Sequence, residues 1–275
     1  MTDTHTLETR DLRLAYDGDP VVHDLTLAVP PGRVSVIVGA NGCGKSTLLR
    51  GIGRLLRPQA GSVLLDGDDI ARLAPRAVAR VLGLLPQQPL APEGISVSDL
   101  VGRGRHPHQG VFRRWSPEDD RIVARALSVT GTADLAGRRV EELSGGQRQR
   151  VWIAMALAQQ PEILLLDEPT TFLDVAHQID LLDLLGGLNA ERGTTIVMVL
   201  HDLNLAVRYA DHLVVMGGGR VLKSGDPRTV LTEELVREAF GLEARIIPDP
   251  VTGDPMVVPV SGHVRARRGG SPDIG

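Results

Sequence analysis

Apolar and polar residues alternate over residues 7–16 and again over 21–29, the period of a strand with one buried face, and predict an antiparallel pair. Residues 34–38, 163–166 and 195–200 are apolar at nearly every position, which predicts strands buried on both faces. A shorter strand is expected over 81–85. Helical periodicity lies between these runs, over 47–56, 175–189 and 203–209. This alternation predicts an α/β core around a mixed sheet, beside the antiparallel pair.

The pattern changes in the middle of the chain. From about 89 to 160 there is no strand pattern, whereas 98–102, 117–130 and 146–160 read as helices. Ser116 is placed to cap the second of these, with Pro117 at its first position. A helical subdomain inserted into the α/β core is the expectation. Beyond Gly225, a helix over 232–240 and a proline-punctuated extended piece over 244–260 form a small appendage. Residues 1–260 are thus expected to form one domain. Residues 261–275 mix Arg265, Arg267 and Arg268 with Gly, Ser and Pro and read as a disordered tail.

Composition narrows the class. A chain of 275 residues, 42% hydrophobic and 23% charged, buries a full core. Its apolar runs fall short of the roughly 18–20 residues that cross a bilayer. Residues 1–7 lack the apolar stretch of a secretory signal, so a cytosolic location is expected. The formal charge of −4, from 30 basic and 34 acidic residues, supplies no overall basic field for nucleic acid. The single cysteine, Cys43, has no partner for an internal disulfide.

Candidate chemistry begins at Gly39-Ala40-Asn41-Gly42-Cys43-Gly44-Lys45-Ser46-Thr47, which joins a buried-strand pattern to a helical one. Glycines let successive backbone N–H groups turn toward an anion, and the helix start adds its positive end. Lys45 would reach the β- and γ-phosphates of a nucleoside triphosphate and Ser46 would offer an oxygen to Mg²⁺. A second apolar strand pattern ends in Asp167-Glu168-Pro169. Ligands of parallel sheets bind at that edge, so Asp167 is expected to hold Mg²⁺ and Glu168 to take a proton from the attacking water.

A second anion-ready helix start lies at Leu143-Ser144-Gly145-Gly146-Gln147. With this motif the chain resembles the ATP-binding subunits of ABC transporters, whose signature LSGGQ is matched without a substitution. The resemblance runs from residue 7 to about 259 and implies a P-loop ATPase core. It also implies a head-to-tail dimer, in which the signature of one copy closes over ATP held by the phosphate loop of the other. By the same resemblance Tyr16 stacks on adenine, Gln87 binds Mg²⁺ and senses the membrane partner, Asp174 links the two sites, and His201 contacts the γ-phosphate. Ala40 and Cys43 depart from the commoner Pro and Ser without removing a needed donor.

The cargo rests on weaker features. Val101-Gly102-Arg103-Gly104-Arg105-His106-Pro107-His108 with Phe112-Arg113-Arg114-Trp115, together with Thr170 to Asp174 and Leu200 to Asn204, resembles the ATPases of ferric siderophore importers. Haem and cobalamin importers are close relatives of that branch. The resemblance implies polytopic permease subunits, an extracytoplasmic binding protein reached indirectly, and a place on the cytoplasmic face of the plasma membrane. Exposed basic and aromatic residues in 101–115 are expected to dock a partner's cytoplasmic helix, although their composition also suits lipid or nucleic acid. A soluble, non-transport ABC ATPase is the rival class. Only about a hundred residues separate Gly39 from Ser144, with no room for the long coiled coils of repair ATPases.

Overall fold

The computed structural model describes residues 5–109 and 115–260. In chain order the first half holds β1 (Leu7–Leu14), β2 (Val22–Val29), β3 (Val34–Gly39), α1 (Lys45–Ile52), β4 (Ala60–Leu65), β5 (Asp68–Asp69), α2 (Pro75–Val81) and β6 (Leu82–Leu85). A helical stretch follows with α3 (Val97–Gly102), α4 (Pro117–Val129) and α5 (Gly145–Ala158), punctuated by 3-10 turns. Then come β7 (Ile163–Asp167), α6 (Val175–Arg192), β8 (Thr195–Val199), α7 (Leu203–Tyr209), β9 (His212–Gly217) and β10 (Arg220–Gly225). The chain closes with α8 (Pro227–Val230), α9 (Glu233–Phe240) and the hairpin β11 (Ala244–Pro248) and β12 (Pro255–Pro259).

The main sheet has the order β10-β9-β3-β8-β7-β6, parallel except for β10 on β9. A separate antiparallel sheet, β2-β1-β4-β5, lies beside it. Alternate residues of the central strands enter different cores, which explains why their sequences are apolar throughout. Ile37, Ile163, Leu165, Val197 and Val199 meet the antiparallel sheet and α1. Val36, Val38, Leu164, Leu166, Ile196 and Met198 face the other way, into a core that continues through Leu100, Val123 and Trp152 of the helical stretch. The inserted helices therefore share the sheet's core.

Register brings the functional loops to one edge. Ile37 of β3 lies opposite Val199 of β8, Val199 opposite Asp167 of β7, and Leu166 opposite Leu85 of β6. The residues just past these positions all leave from the sheet's C-terminal side.

Several boundaries differ from the sequence expectation. Helix α1 spans Lys45–Ile52 rather than 47–56, because Gly53 caps it and Arg54 takes φ 60°, leaving Leu55 62% exposed. Strand β4 was not expected; it opens with Ala-Gly-Ser and has only three buried residues. Helix α2 buries only Val78, too little for a periodic signal. Helix α4 begins as expected, with Ser116 and Asp119 forming a capping box and Pro117 in the first turn. The proposed tail, 261–275, lies outside the described residues.

Candidate nucleotide site at the sheet edge

The loop from β3 to α1 wraps tightly because Gly39, Gly42 and Gly44 take φ of 155°, 79° and 100°. At Gly39 a Cβ would stand 2.3 Å from the Met216 carbonyl oxygen, so only glycine fits. Gly44 precedes α1 in a left-handed conformation and offers no side chain to cap it. The helix start thus leaves backbone donors for an external anion. Lys45 is 5% exposed, and its Nζ donates to the carbonyls of Gly39 at 2.8 Å and Ala40 at 3.0 Å. Cys43 is buried, with Sγ 4.0 Å from that ammonium.

Ser46 follows Lys45 on α1, and its hydroxyl donates to Asp167 Oδ1 at 2.7 Å. The other carboxylate oxygen, Asp167 Oδ2, is buried without a partner. Burial raises the Asp167 carboxyl above its ordinary range; the Ser46 bond opposes this, and the neighbouring Glu168 adds to it. An orphaned buried oxygen beside a hydroxyl suits a hard divalent cation, so the residues present fit Mg²⁺.

Glu168 is the point where three loops meet. Its backbone takes φ 54°, uncommon for a residue with a side chain. Its Oε1 lies 2.6 Å from His201 Nε2, and its Oε2 accepts from Gln87 Nε2 at 2.5 Å and Thr171 Oγ1 at 3.3 Å. Gln87 leaves the end of β6 and His201 the end of β8, so parallel register sets this meeting. A cleft of about 430 Å³ has Asn41, Gly42, Gly44, Lys45, Ser46 and Thr47 on one wall and Gln87, Glu168 and His201 on the other.

Other expected residues stand at or beyond the rim. Tyr16 is 51% exposed; its hydroxyl accepts from Arg50 Nη1 at 3.0 Å and lies 3.5 Å from Thr47 Oγ1. The Arg50 guanidinium is 6.0 Å from the Tyr16 ring centroid, a contact that sequence reading missed. Ser144, Gly145, Gly146 and Gln147 do not line the cleft. They open α5 with a closed capping box: Ser144 accepts from the Gln147 amide at 3.3 Å, and Gln147 Oε1 from the Ser144 amide at 3.1 Å. Asp174 caps α6 and accepts from the His177 amide at 3.0 Å, and its Oδ1 lies 2.8 Å from His177 Nδ1. These bonds hold its carboxyl below the usual range.

One expectation is corrected. Arg105 is not part of an exposed basic socket: it is 3% exposed and donates to Asp119 Oδ1 at 3.0 Å and the Ala158 carbonyl at 2.8 Å. Trp115 is 46% exposed and donates to Asp120, while Phe112, Arg113 and Arg114 lie outside the described residues. A larger groove, about 990 Å³, lies at the opposite sheet edge beside Pro161, Glu162 and Thr195. It contains none of the motif residues, so chemistry rather than volume identifies the site.

A phosphate loop after β3, paired carboxylates at the end of β7, and this mixed sheet define a P-loop ATPase fold. The ABC transporter family matches residues 22–171, and the chain belongs to that family. It is 53% identical to the achromobactin transport ATP-binding protein CbrD of Dickeya dadantii (strain 3937), over 92% of this chain and 94% of that one. It is 51% identical to the ferric enterobactin transport ATP-binding protein FepC of Escherichia coli (strain K12), with the same coverages, 92% and 94%. Among solved structures it resembles a metal-chelate type ABC transporter in an inward-facing conformation, with TM-score 0.80, 29% identity, and coverage of 95% of this chain and 99% of that one. The dimeric cassette MJ0796 gives TM-score 0.73 at 28% identity, over 80% of this chain and 98% of that one.

Proposed function

We propose that the chain hydrolyses ATP to drive import of a ferric siderophore through separate membrane subunits. The observation that carries the reading is the convergence of Lys45, Ser46, Gln87, Glu168 and His201 on one cleft, with buried Asp167 bonded to Ser46. Transport names of relatives at 46–53% identity, achromobactin, ferric enterobactin and iron(3+)-hydroxamate among them, support the cargo class.

In this reading the uncapped start of α1 and the Lys45 ammonium neutralise the β- and γ-phosphates, and Tyr16 supports the adenine. Ser46, Asp167 and Gln87 hold Mg²⁺, which when bound screens phosphate charge. Glu168 orients the attacking water and accepts its proton, while His201 steadies the γ-phosphate. A His201 Nε2 that turns to the γ-phosphate leaves the Glu168 carboxylate, whereas Gln87 can offer Oε1 to Mg²⁺ and keep its Nε2 on Glu168. Ser144 to Gln147 serve the cleft of a second copy in a head-to-tail dimer, and Asp174 lies on the loop between the two sites. A permease pair receives the dimer at the cytoplasmic face of the membrane, and an extracytoplasmic binding protein delivers cargo to the permease. No helix among the described residues is long and apolar enough to cross a membrane, in keeping with peripheral attachment.

Uptake of labelled ferric siderophore, haem and cobalamin in a deletion strain tests the assignment. Loss of siderophore uptake alone, restored by the wild-type chain and not by Glu168→Gln, is expected. Loss of only haem or cobalamin uptake would move the chain to that cargo; a cobalamin import ATP-binding protein of Halobacterium salinarum is 41% identical, with 65% of its length covered. An unaffected strain that lacks redundant importers would overturn the transport role.

A further inference from the structure

We propose that Thr171 is a positioning residue that keeps the Glu168 carboxylate aimed once nucleotide has drawn His201 away. The inference rests on the assignment of Glu168 as the proton acceptor. Three side chains reach that carboxylate, and they differ in what else they must do. Gln87 and His201 come from the ends of other strands, and each has a second task at the metal or the γ-phosphate. Thr171 has none, and it belongs to the carboxylate's own turn.

The turn makes this donor local and durable. The Thr171 amide donates to the Glu168 carbonyl at 3.2 Å, closing a four-residue turn around Pro169 and Thr170. The Thr171 hydroxyl donates to Glu168 Oε2 at 3.3 Å from the same turn. Glu168 holds φ 54° there and Phe172 holds φ 69°, so the loop is fixed on both sides of Thr171 in a conformation that costs energy without its hydrogen bonds. Phe172 then lies over the start of α5, where a Cβ at Gly145 would stand 3.5 Å from its own. Thr171 thus joins the carboxylate to the segment that packs on the signature.

The Thr171 hydroxyl, at 3.3 Å, shares Oε2 with the Gln87 amide at 2.5 Å, and a carboxylate oxygen takes both donors. Departure of His201 from Oε1 leaves the carboxylate held at Oε2, by Gln87 from another strand and by Thr171 from its own turn. Loss of the local donor to a charged acceptor then loosens the carboxylate that must face the water, an effect of roughly tenfold in rate.

The test uses the full chain in its importer complex, with Thr171→Val, Thr171→Ser and Glu168→Gln compared for ATP hydrolysis, ATP-bound dimer and thermal midpoint. Valine keeps the shape and removes the donor. Thr171→Val is expected to lower kcat roughly tenfold with little change in KM for ATP, to let ATP-bound dimer accumulate, and to leave the midpoint near wild type. Serine is expected to restore the rate. Wild-type kcat in Thr171→Val beside an inactive Glu168→Gln would overturn the role of Thr171 while leaving Glu168 in place. Equal loss of stability and nucleotide binding in both Thr171 variants would make the residue purely structural. Wild-type hydrolysis by Glu168→Gln would instead remove the reading on which the inference stands.

Discussion

Helices α1 and α5 both begin at glycine-rich segments, yet their first turns are finished differently. Gly44 leaves α1 without a side-chain cap, whereas Ser144 and Gln147 satisfy each other at the start of α5. One start waits for an anion; the other is already occupied by its own side chains. A helix start that must surrender a capping box binds phosphate more weakly than one with free donors, since a lost cap costs about 1 kcal/mol. The difference suits a division of labour in which α1 captures ATP in a single chain and α5 contributes only when another copy presents its nucleotide.

The strongest break in this division is at Glu168, beside α1. Glu168→Gln should lower kcat by about 10²–10⁴ while preserving ATP binding, because the amide keeps the shape and cannot take the proton. Steady-state hydrolysis and nucleotide titration on one preparation separate the two effects.

Next comes the support beneath α5. Arg105 and Asp119 form an ion pair with side chains 4% and 0% exposed, tying the segment after α3 to α4 and to the end of α5. Arg105→Ala strands the Asp119 charge and should cost about 3–5 kcal/mol in denaturant unfolding. Burial alone would raise the Asp119 carboxyl, but hydrogen bonds from Ser116 and Arg105 hold it below its ordinary value. Its stabilisation is therefore fully present above about pH 4 and is lost as pH falls through the lower folded value. Wild-type stability should drop in that window more steeply than that of Arg105→Ala.

Lys45→Ala should weaken ATP binding to the isolated chain by about 100-fold, near the upper range for hydrogen bonds to a charged group. Ser144→Arg, at the start of α5, should leave that affinity nearly unchanged and still stop turnover. Calorimetry on both variants contrasts the two helix starts directly.

How much of this was legible depended on how local each signal is. The phosphate loop is a run of adjacent residues whose glycines are dictated by their own backbone, and Ser116 with Pro117 announced α4 for the same reason. The central strands were visible because burial on both faces leaves no polar position. Strand β4 and helix α2 escaped because they bury few residues. Arg105 was misread as exposed because its partner, Asp119, is reached only through the fold. Resemblance assigned Gln87 and His201 to the nucleotide site, but their direct contacts with Glu168 are set by the fold, and the added hydroxyl of Thr171 follows from the turn at Glu168. Likewise, only packing showed that Arg50 holds Tyr16.

Mixing Lys45→Ala with Ser144→Arg tests the division between α1 and α5 most directly. Each variant alone has no complete site, whereas a mixed dimer keeps one cleft with an intact α1 start facing an intact α5 start. Partial ATP hydrolysis that rises with the measured fraction of mixed dimer is the predicted result. No hydrolysis despite demonstrated mixed dimers, or recovered hydrolysis without them, would contradict the account.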